Sequence, residues 1–344
     1  MARRAVGAYS FSDQHLHITP RRGVAINSDK PGRWLDDINA SVKLFNDWFT
    51  IYAPLVYGEV RERIRGDVLH AFDVTEDLRN VRAQTLRTDP GILPVLRQAT
   101  APPLAVDRLV GLAGVGRNLV CSMENGSLPT RMSRTECTAG LEAIAEVISR
   151  MLDFELFVWL DGTGAPNEID RVRAASVIAD RLTLSIANPI IRNAQEKRQL
   201  DILARWLNAR EYQELRHSES QPLQSMEPGT YARHMNVEGG KEGEVKVSID
   251  VVIQPHRPRP SGLPILIEAK SAGDFTNVNK RRKEEADKYR HLRERHGDAV
   301  EYLLFLGGYF DRGYLEYEAR AGIDWIWEHR PDDLDQLGLD ARNT

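Results

Sequence analysis

Asp250, Glu268 and Lys270 are of types, and stand at spacings, that could do chemistry together. Asp250 lies within Val245–Ile253, and Glu268-Ala269-Lys270 ends a more apolar run that begins at Leu263. In the first run Val245, Val247, Ile249, Val251 and Ile253 alternate with Lys246, Ser248, Asp250 and Val252, which predicts a strand with one buried face. The second run reads as a strand covered on both sides. Glu268 and Lys270 are two apart and point the same way. If the strands are neighbours, two carboxylates and an amine converge. Carboxylates paired in this way suit Mg2+, which takes oxygen ligands and keeps waters and substrate phosphate in its shell. A cation there polarises a phosphodiester and supplies an activated water. Lys270 would orient that water or help deprotonate it, and offset charge in the transition state.

Glu-x-Lys alone recurs about once in a charged chain of this size. The bland alternative is two exposed strand charges. The surrounding elements therefore carry the weight. Gly229–Val237 predicts a strand ahead of the Asp250 strand, with Glu238–Gly243 as a turn cluster between them. After Lys270 a helix is expected from about Asn277 to His296, stopped at Gly297. Ala299–Leu306 is a buried strand, which completes a strand-helix-strand unit. Gly307–Tyr314 reads as a loop, and the acidic C-terminal stretch with Trp325 and Trp327 as a covering helix.

Upstream the periodicity is helical. One helix is expected from Leu35, a second starting at Pro54, and a third opened by Thr75-Glu76-Asp77. Ser133 starts an amphipathic helix carrying Leu141, Ile144, Ile148 and Leu152. Asn167–Ser185 predicts another helix, and Asn188–Tyr212 a long separate one. Gly111–Gly116 lacks the Lys-Ser/Thr of a nucleotide loop and is expected to be a turn. Met1 to about Lys30, rich in Arg, Gly, Ser and Pro, reads as an irregular arm. The expected division is a mainly helical region over 1–187, a sheet-bearing core over 188–330, and a tail over 331–344.

The chain has 344 residues, a formal net charge of −4, 42% hydrophobic and 28% charged residues, which indicates a globular protein. An acidic balance argues against wholesale electrostatic attraction to nucleic acid, so any contact needs a local basic surface. The helix after Lys270 provides one, with eight basic residues against four acidic over 277–296. Lys280, Arg281, Arg282 and Lys283 in its first turns are candidates for phosphate contact, the alternative being a salt-bridged surface helix. Arg257 and Arg259, held out by the prolines between the two strands, and Arg312, beside aromatics, are further candidates. Two cysteines, without zinc-type spacing, point to reduced thiols and a cytoplasmic protein. No signal peptide or long apolar run suggests a membrane segment.

Ile249-Asp250 followed by Glu268-Ala269-Lys270 resembles the PD-(D/E)xK nuclease core, without the proline before the Asp. The wider pattern resembles the XamI-type family of type II restriction endonucleases. It consists of Phe45-Asn46-Asp47-Trp48-Phe49, Ala101-Pro102-Pro103 with Asp107-Arg108-Leu109, the Asn188–Glu196 lead-in, and Glu268–Asn277 with Lys280–Lys283. The resemblance implies an α/β (α+β) fold: a mixed-sheet nuclease core with a large mainly helical N-terminal region. It further implies Mg2+-dependent, sequence-specific cleavage of both strands of double-stranded DNA, with Mn2+ able to substitute. Asp250 and Glu268 would be ligands, with the Ala269 carbonyl as a third. A helix before the sheet carries a further carboxylate in such cores, and Glu196 is the first candidate, Glu211 the second. A homodimer and a separate protective DNA methyltransferase are also implied. The chain carries no Asp/Asn-Pro-Pro-Tyr or Walker motif, so neither methylation nor ATP-driven translocation is expected in it. Two alternatives remain open: a structure-specific repair or recombination nuclease with the same core, and a non-catalytic DNA-binding protein.

Overall fold

A mixed sheet carries the acidic residues, and each of its faces is closed by helices. The computed structural model describes residues 25–162, 164–215, 223–275 and 278–339, with backbone alone for 278–283. Among these the strands are β1 (Gln213–Glu214), β2 (Thr230–Gly239), β3 (Val245–Gln254), β4 (Ile265–Ala272), β5 (Glu301–Gly308) and β6 (Asp324–Trp327). They lie in sequence order across one six-stranded sheet. β2, β3 and β4 are antiparallel neighbours, while β4, β5 and β6 run parallel, as do β1 and β2. β4 is joined to β5, and β5 to β6, through a helix, the usual form of a parallel connection.

The helices are α1 (Trp34–Val74), α2 (Ala83–Thr88), α3 (Leu93–Gln98), α4 (Val106–Ala113) and α5 (Arg117–Glu124). They continue with α6 (Arg134–Met151), α7 (Glu168–Asn208), α8 (Val278–His296) and α9 (Arg312–Ala321). The chain divides into two compact units, Met1–Phe49 with Asn193–Thr344, and Thr50–Arg192. In the sheet-bearing unit, Val247, Ile249, Val252, Leu266, Leu304 and Trp325 face Leu292 of α8 and Tyr314 and Leu315 of α9. On the opposite face Val251, Ile253, Ile267, Ala269 and Phe305 meet Leu200, Leu203 and Leu207 of α7. The buried Asp324 carboxylate accepts the amides of Ile26, Asn27 and Ser28, which fixes the chain just before α1. In the helical unit Phe72, Leu86, Leu109, Leu141, Ile144 and Ile178 are among the fully buried side chains.

Several expectations need correction. α1 passes through Pro54 and α7 through Pro189, so each is one helix of 41 residues where two were expected. Thr75–Asp77 opens no helix: Glu76, Asp77 and Leu78 have positive φ, and helix resumes at Ala83. The Gly307–Tyr314 segment is not a loop throughout, because Asp311 caps α9 by accepting the Tyr314 amide at 2.7 Å. Trp325 and Trp327 lie in a fully buried strand, not a covering helix. The aromatic and β-branched content of Asp-Trp-Ile-Trp favours a strand, and helical connection from β5 makes one possible. α6 begins as expected, with Ser133 accepting the Glu136 amide at 3.1 Å. By length and composition α7 could cross a membrane, but its C-terminal half packs on the sheet.

Candidate active site

The site grows from a fault shared by β2 and β3. Either side of His234 and Asp250 the register is continuous: Arg233 pairs with Val251 and Met235 with Ile249. His234 and Asp250 therefore stand opposite each other, and His234 has a φ of 54°. Both strands change phase there. Met235, Val237, Val247 and Ile249 pack on the α8 side with Ala232 and Val252, whereas Tyr231, Val251 and Ile253 pack on the α7 side. The expected alternation of Val245 through Ile253 on one face therefore holds only as far as Ile249. Apolar residues on both faces beyond it make the shift free of any burial cost.

The β3–β4 ladder ends at Val251–Ile267, one residue short of Asp250 and Glu268. There Asp250 Oδ2 accepts the Ala269 amide at 2.8 Å, a side chain standing in for the missing strand partner. A residue's N–H and C=O leave a strand on the same side, so the Ala269 carbonyl also faces Asp250. Burial, and then the charge of Glu268, push the Asp250 carboxyl up to about 6, against the opposing effect of the Ala269 amide and two lysines.

Glu268 and Lys270 project toward α8. The Lys270 ammonium lies 2.9 Å from Glu268 Oε1 and 2.9 Å from Glu285 Oε1. Lys288 reaches the same Glu268 oxygen at 2.5 Å. Burial alone would lower the Lys270 pKa, but the carboxylates of Glu285 and Glu268 push it above its ordinary value. Lys270 thus stands as an ammonium, suited to orienting water and offsetting negative charge. Glu268 is only 3% exposed, and its Oε2 is buried without a hydrogen-bond partner among the described residues. A bare buried carboxylate oxygen is costly unless something fills it.

Glu196 approaches Asp250 from α7. Its carboxylate, an Asp250 carboxylate oxygen and a ring nitrogen of His234 lie within 4.8 Å of one another. Gln199, one turn on and 1% exposed, ties α7 to the sheet by donating to the carbonyls of Lys270 and Phe305 at 3.2 and 3.3 Å. This oxygen-rich set with one imidazole fits a divalent cation, and the partnerless Glu268 oxygen is consistent with one.

The other expected residues are distributed differently. Glu211 lies after α7 with a φ of 64° and is not among the grouped ligands. Arg259 pairs with Glu301 at 2.9 Å, at the strand end away from Lys270, and Arg257 is exposed nearby. Four residues of strand separate Asp250 from the end of β3, roughly 13 Å of rise. Arg312 is exposed at the start of α9 and pairs with Glu316. The side chains of Lys280, Arg281, Arg282 and Lys283 lie outside the described residues. Glu285, four residues after Arg281 and so spaced for a surface pair with it, is fully buried against Lys270. Sequence reading missed His234, Glu285 and Lys288. Only the strand register reveals His234, and only the helix phase the other two.

Comparison with known proteins bears on this arrangement. The family model described as XamI restriction endonuclease matches residues 76–327. "Type II restriction enzyme SalI" from Streptomyces albus G is 48% identical over 314 residues, which cover 91% of this chain and 99% of that protein. No solved structure matches. The family match takes in Glu196, His234, Asp250, Glu268 and Lys270, and the likeness to the relative extends over nearly the whole chain. On these matches the chain belongs to the XamI-type family of type II restriction endonucleases, which are site-specific deoxyribonucleases.

Proposed function

We propose that this endonuclease hydrolyses both strands of double-stranded DNA at a short specific sequence, using Mg2+ held at a PD-(D/E)xK-type centre. The observation that carries the reading is the buried Glu268 Oε2, without a hydrogen-bond partner among the described residues, beside Asp250 and Lys270. Asp250, Glu268 and the Ala269 carbonyl would hold one cation, and Glu196, His234 and Asp250 outline a second position. Either ion would lower the pKa of a bound water and polarise the scissile phosphate.

The residues themselves have definite tasks. Asp250 and Glu268 keep two negative charges close together, a repulsion that a divalent cation relieves. Lys270, fixed as an ammonium, orients the attacking water and counters charge as the phosphate becomes five-coordinate. Glu196 and His234 cover the α7 side of Asp250. Phosphate contacts are assigned to Lys280, Arg281, Arg282 and Lys283, with Arg257 and Arg312 as exposed supports. Arg259 is left out because it is taken up by Glu301.

A palindromic target needs two active sites related by a two-fold axis, so the enzyme acts as a homodimer. The helical region supplies dimer or DNA contacts, a separate methyltransferase protects host sites, and the pair works in the cytoplasm. Digestion of phage and plasmid DNA with Mg2+, Mn2+ or EDTA tests the reading. Discrete fragments with either cation and none with EDTA are expected. Cleavage in EDTA contradicts the cation, and a smear contradicts sequence specificity.

A further inference from the structure

One of the two carboxylates that hold Lys270 comes from a helix that supplies no residue of the Asp250, Glu268 and Lys270 set. Glu285 of α8 is 0% exposed, on a helix whose described residues are otherwise mostly charged and solvent-facing. One of its oxygens pairs with Lys270 at 2.9 Å, and the other accepts the hydroxyl of Tyr302, itself 1% exposed on β5. One turn along α8, Lys288 binds Glu268 Oε1 and lies 3.3 Å from the Ser248 carbonyl on β3. A chain of contacts thus runs Tyr302–Glu285–Lys270–Glu268–Lys288 through β5, α8 and β4.

We propose that α8 positions the catalytic groups: Glu285 fixes the Lys270 ammonium, and Lys288 turns Glu268 so that Oε2 faces the cation position. The inference rests on the reading of Lys270 as catalytic. A lysine ammonium ends a flexible four-carbon stem with about 2 kcal/mol of rotamer freedom. One carboxylate at 2.9 Å leaves that tip free to swing, whereas two buried carboxylates on different elements define its place. Both ammonium groups take the same Glu268 oxygen, and the other has no hydrogen-bond partner among the described residues. A buried carboxylate costs stability unless its partners repay desolvation, and Glu285 meets that cost with Lys270 and Tyr302. Glu285 and Lys288 touch neither DNA nor cation, so both are positioning residues.

The test compares single-turnover cleavage by the full-length enzyme, on a plasmid that wild type cuts with Mg2+, across Glu285→Gln, Glu285→Asp, Lys270→Ala and Glu285→Gln/Lys270→Ala. DNA Kd with Ca2+, Mn2+ affinity by calorimetry, and Tm are measured alongside. A tip misplaced by about 1 Å costs on the order of 100-fold in rate. Glu285→Gln is expected to lose about that factor, with DNA and Mn2+ affinities within about threefold of wild type. Glu285→Asp should recover part of the rate. The double variant should be no slower than Lys270→Ala alone, because Glu285 acts through that lysine. Wild-type rates in Glu285→Gln, or additive losses in the double variant, overturn the proposal. Should Glu285→Gln fail to fold, Tyr302→Phe takes its place: about a tenfold slower rate with Kd unchanged supports positioning, and an unchanged rate overturns it. A wild type that cuts no DNA with any divalent cation sinks the underlying reading as well.

Discussion

Asp250 is held at odds with its own charge. Its pKa, raised to about 6 by burial and by Glu268, means that the folded protein keeps this proton better than the unfolded chain does. The group's contribution to stability is therefore fully present below about pH 4 and lost as pH rises through about 6. Metal-free Asp250→Asn should melt a few degrees above wild type at pH 8, and the difference should shrink toward pH 4, as followed by calorimetry. The same variant should cut no DNA, a trade of function against stability expected where like charges are held together for catalysis. An equal or lower Tm for Asp250→Asn at pH 8 contradicts this reading of the site. His234 makes a separate prediction. An imidazole ligand favours Mn2+ over Mg2+ more than oxygens do, so His234→Ala should weaken Mn2+ binding about tenfold. Equal Mn2+ affinities in wild type and variant would remove His234 from the ligand set.

At the scale of elements, α7 and the β2–β3 pair decide whether the residues meet. Gln199 donates from the buried face of α7 to the carbonyls of Lys270 and Phe305. Gln199→Ala leaves those carbonyls without that donor and should cost about 1–3 kcal/mol in denaturant unfolding. It should also slow cleavage, because Glu196 sits one turn away; unaltered stability and rate would mean α7 is fixed by its leucines alone. The sequence made much of this frame readable: the start of β3, the strand ending in Glu268-Ala269-Lys270, the stop of α8 at Gly297 and the Ser133 cap all follow local rules. Other features depend on tertiary structure. Pro54 and Pro189 each cost a helix several kcal/mol in isolation, yet packing carries α1 and α7 through them. Val251-Val252-Ile253 reads the same in either strand phase, so the shift at Asp250 left no trace. Glu285 is spaced for a surface pair with Arg281, and only the fold turns it inward to Lys270.

At the scale of the whole molecule, a net charge of −4 leaves DNA binding to local basic surface. The proposed homodimer predicts a solution mass near twice 38.9 kDa by light scattering. A monomer that stays monomeric on its DNA would contradict cleavage of both strands by paired active sites. The central claim of the proposed function is cation-dependent, sequence-specific cutting at the Asp250–Glu268–Lys270 centre. Digestion of plasmid and phage DNA with Mg2+ by wild type, Asp250→Ala and Lys270→Ala tests it most directly. Discrete, reproducible bands are expected from wild type, and a loss of at least about 1,000-fold in both variants, with both folded and still binding DNA. Cleavage by either variant at the wild-type rate would contradict it.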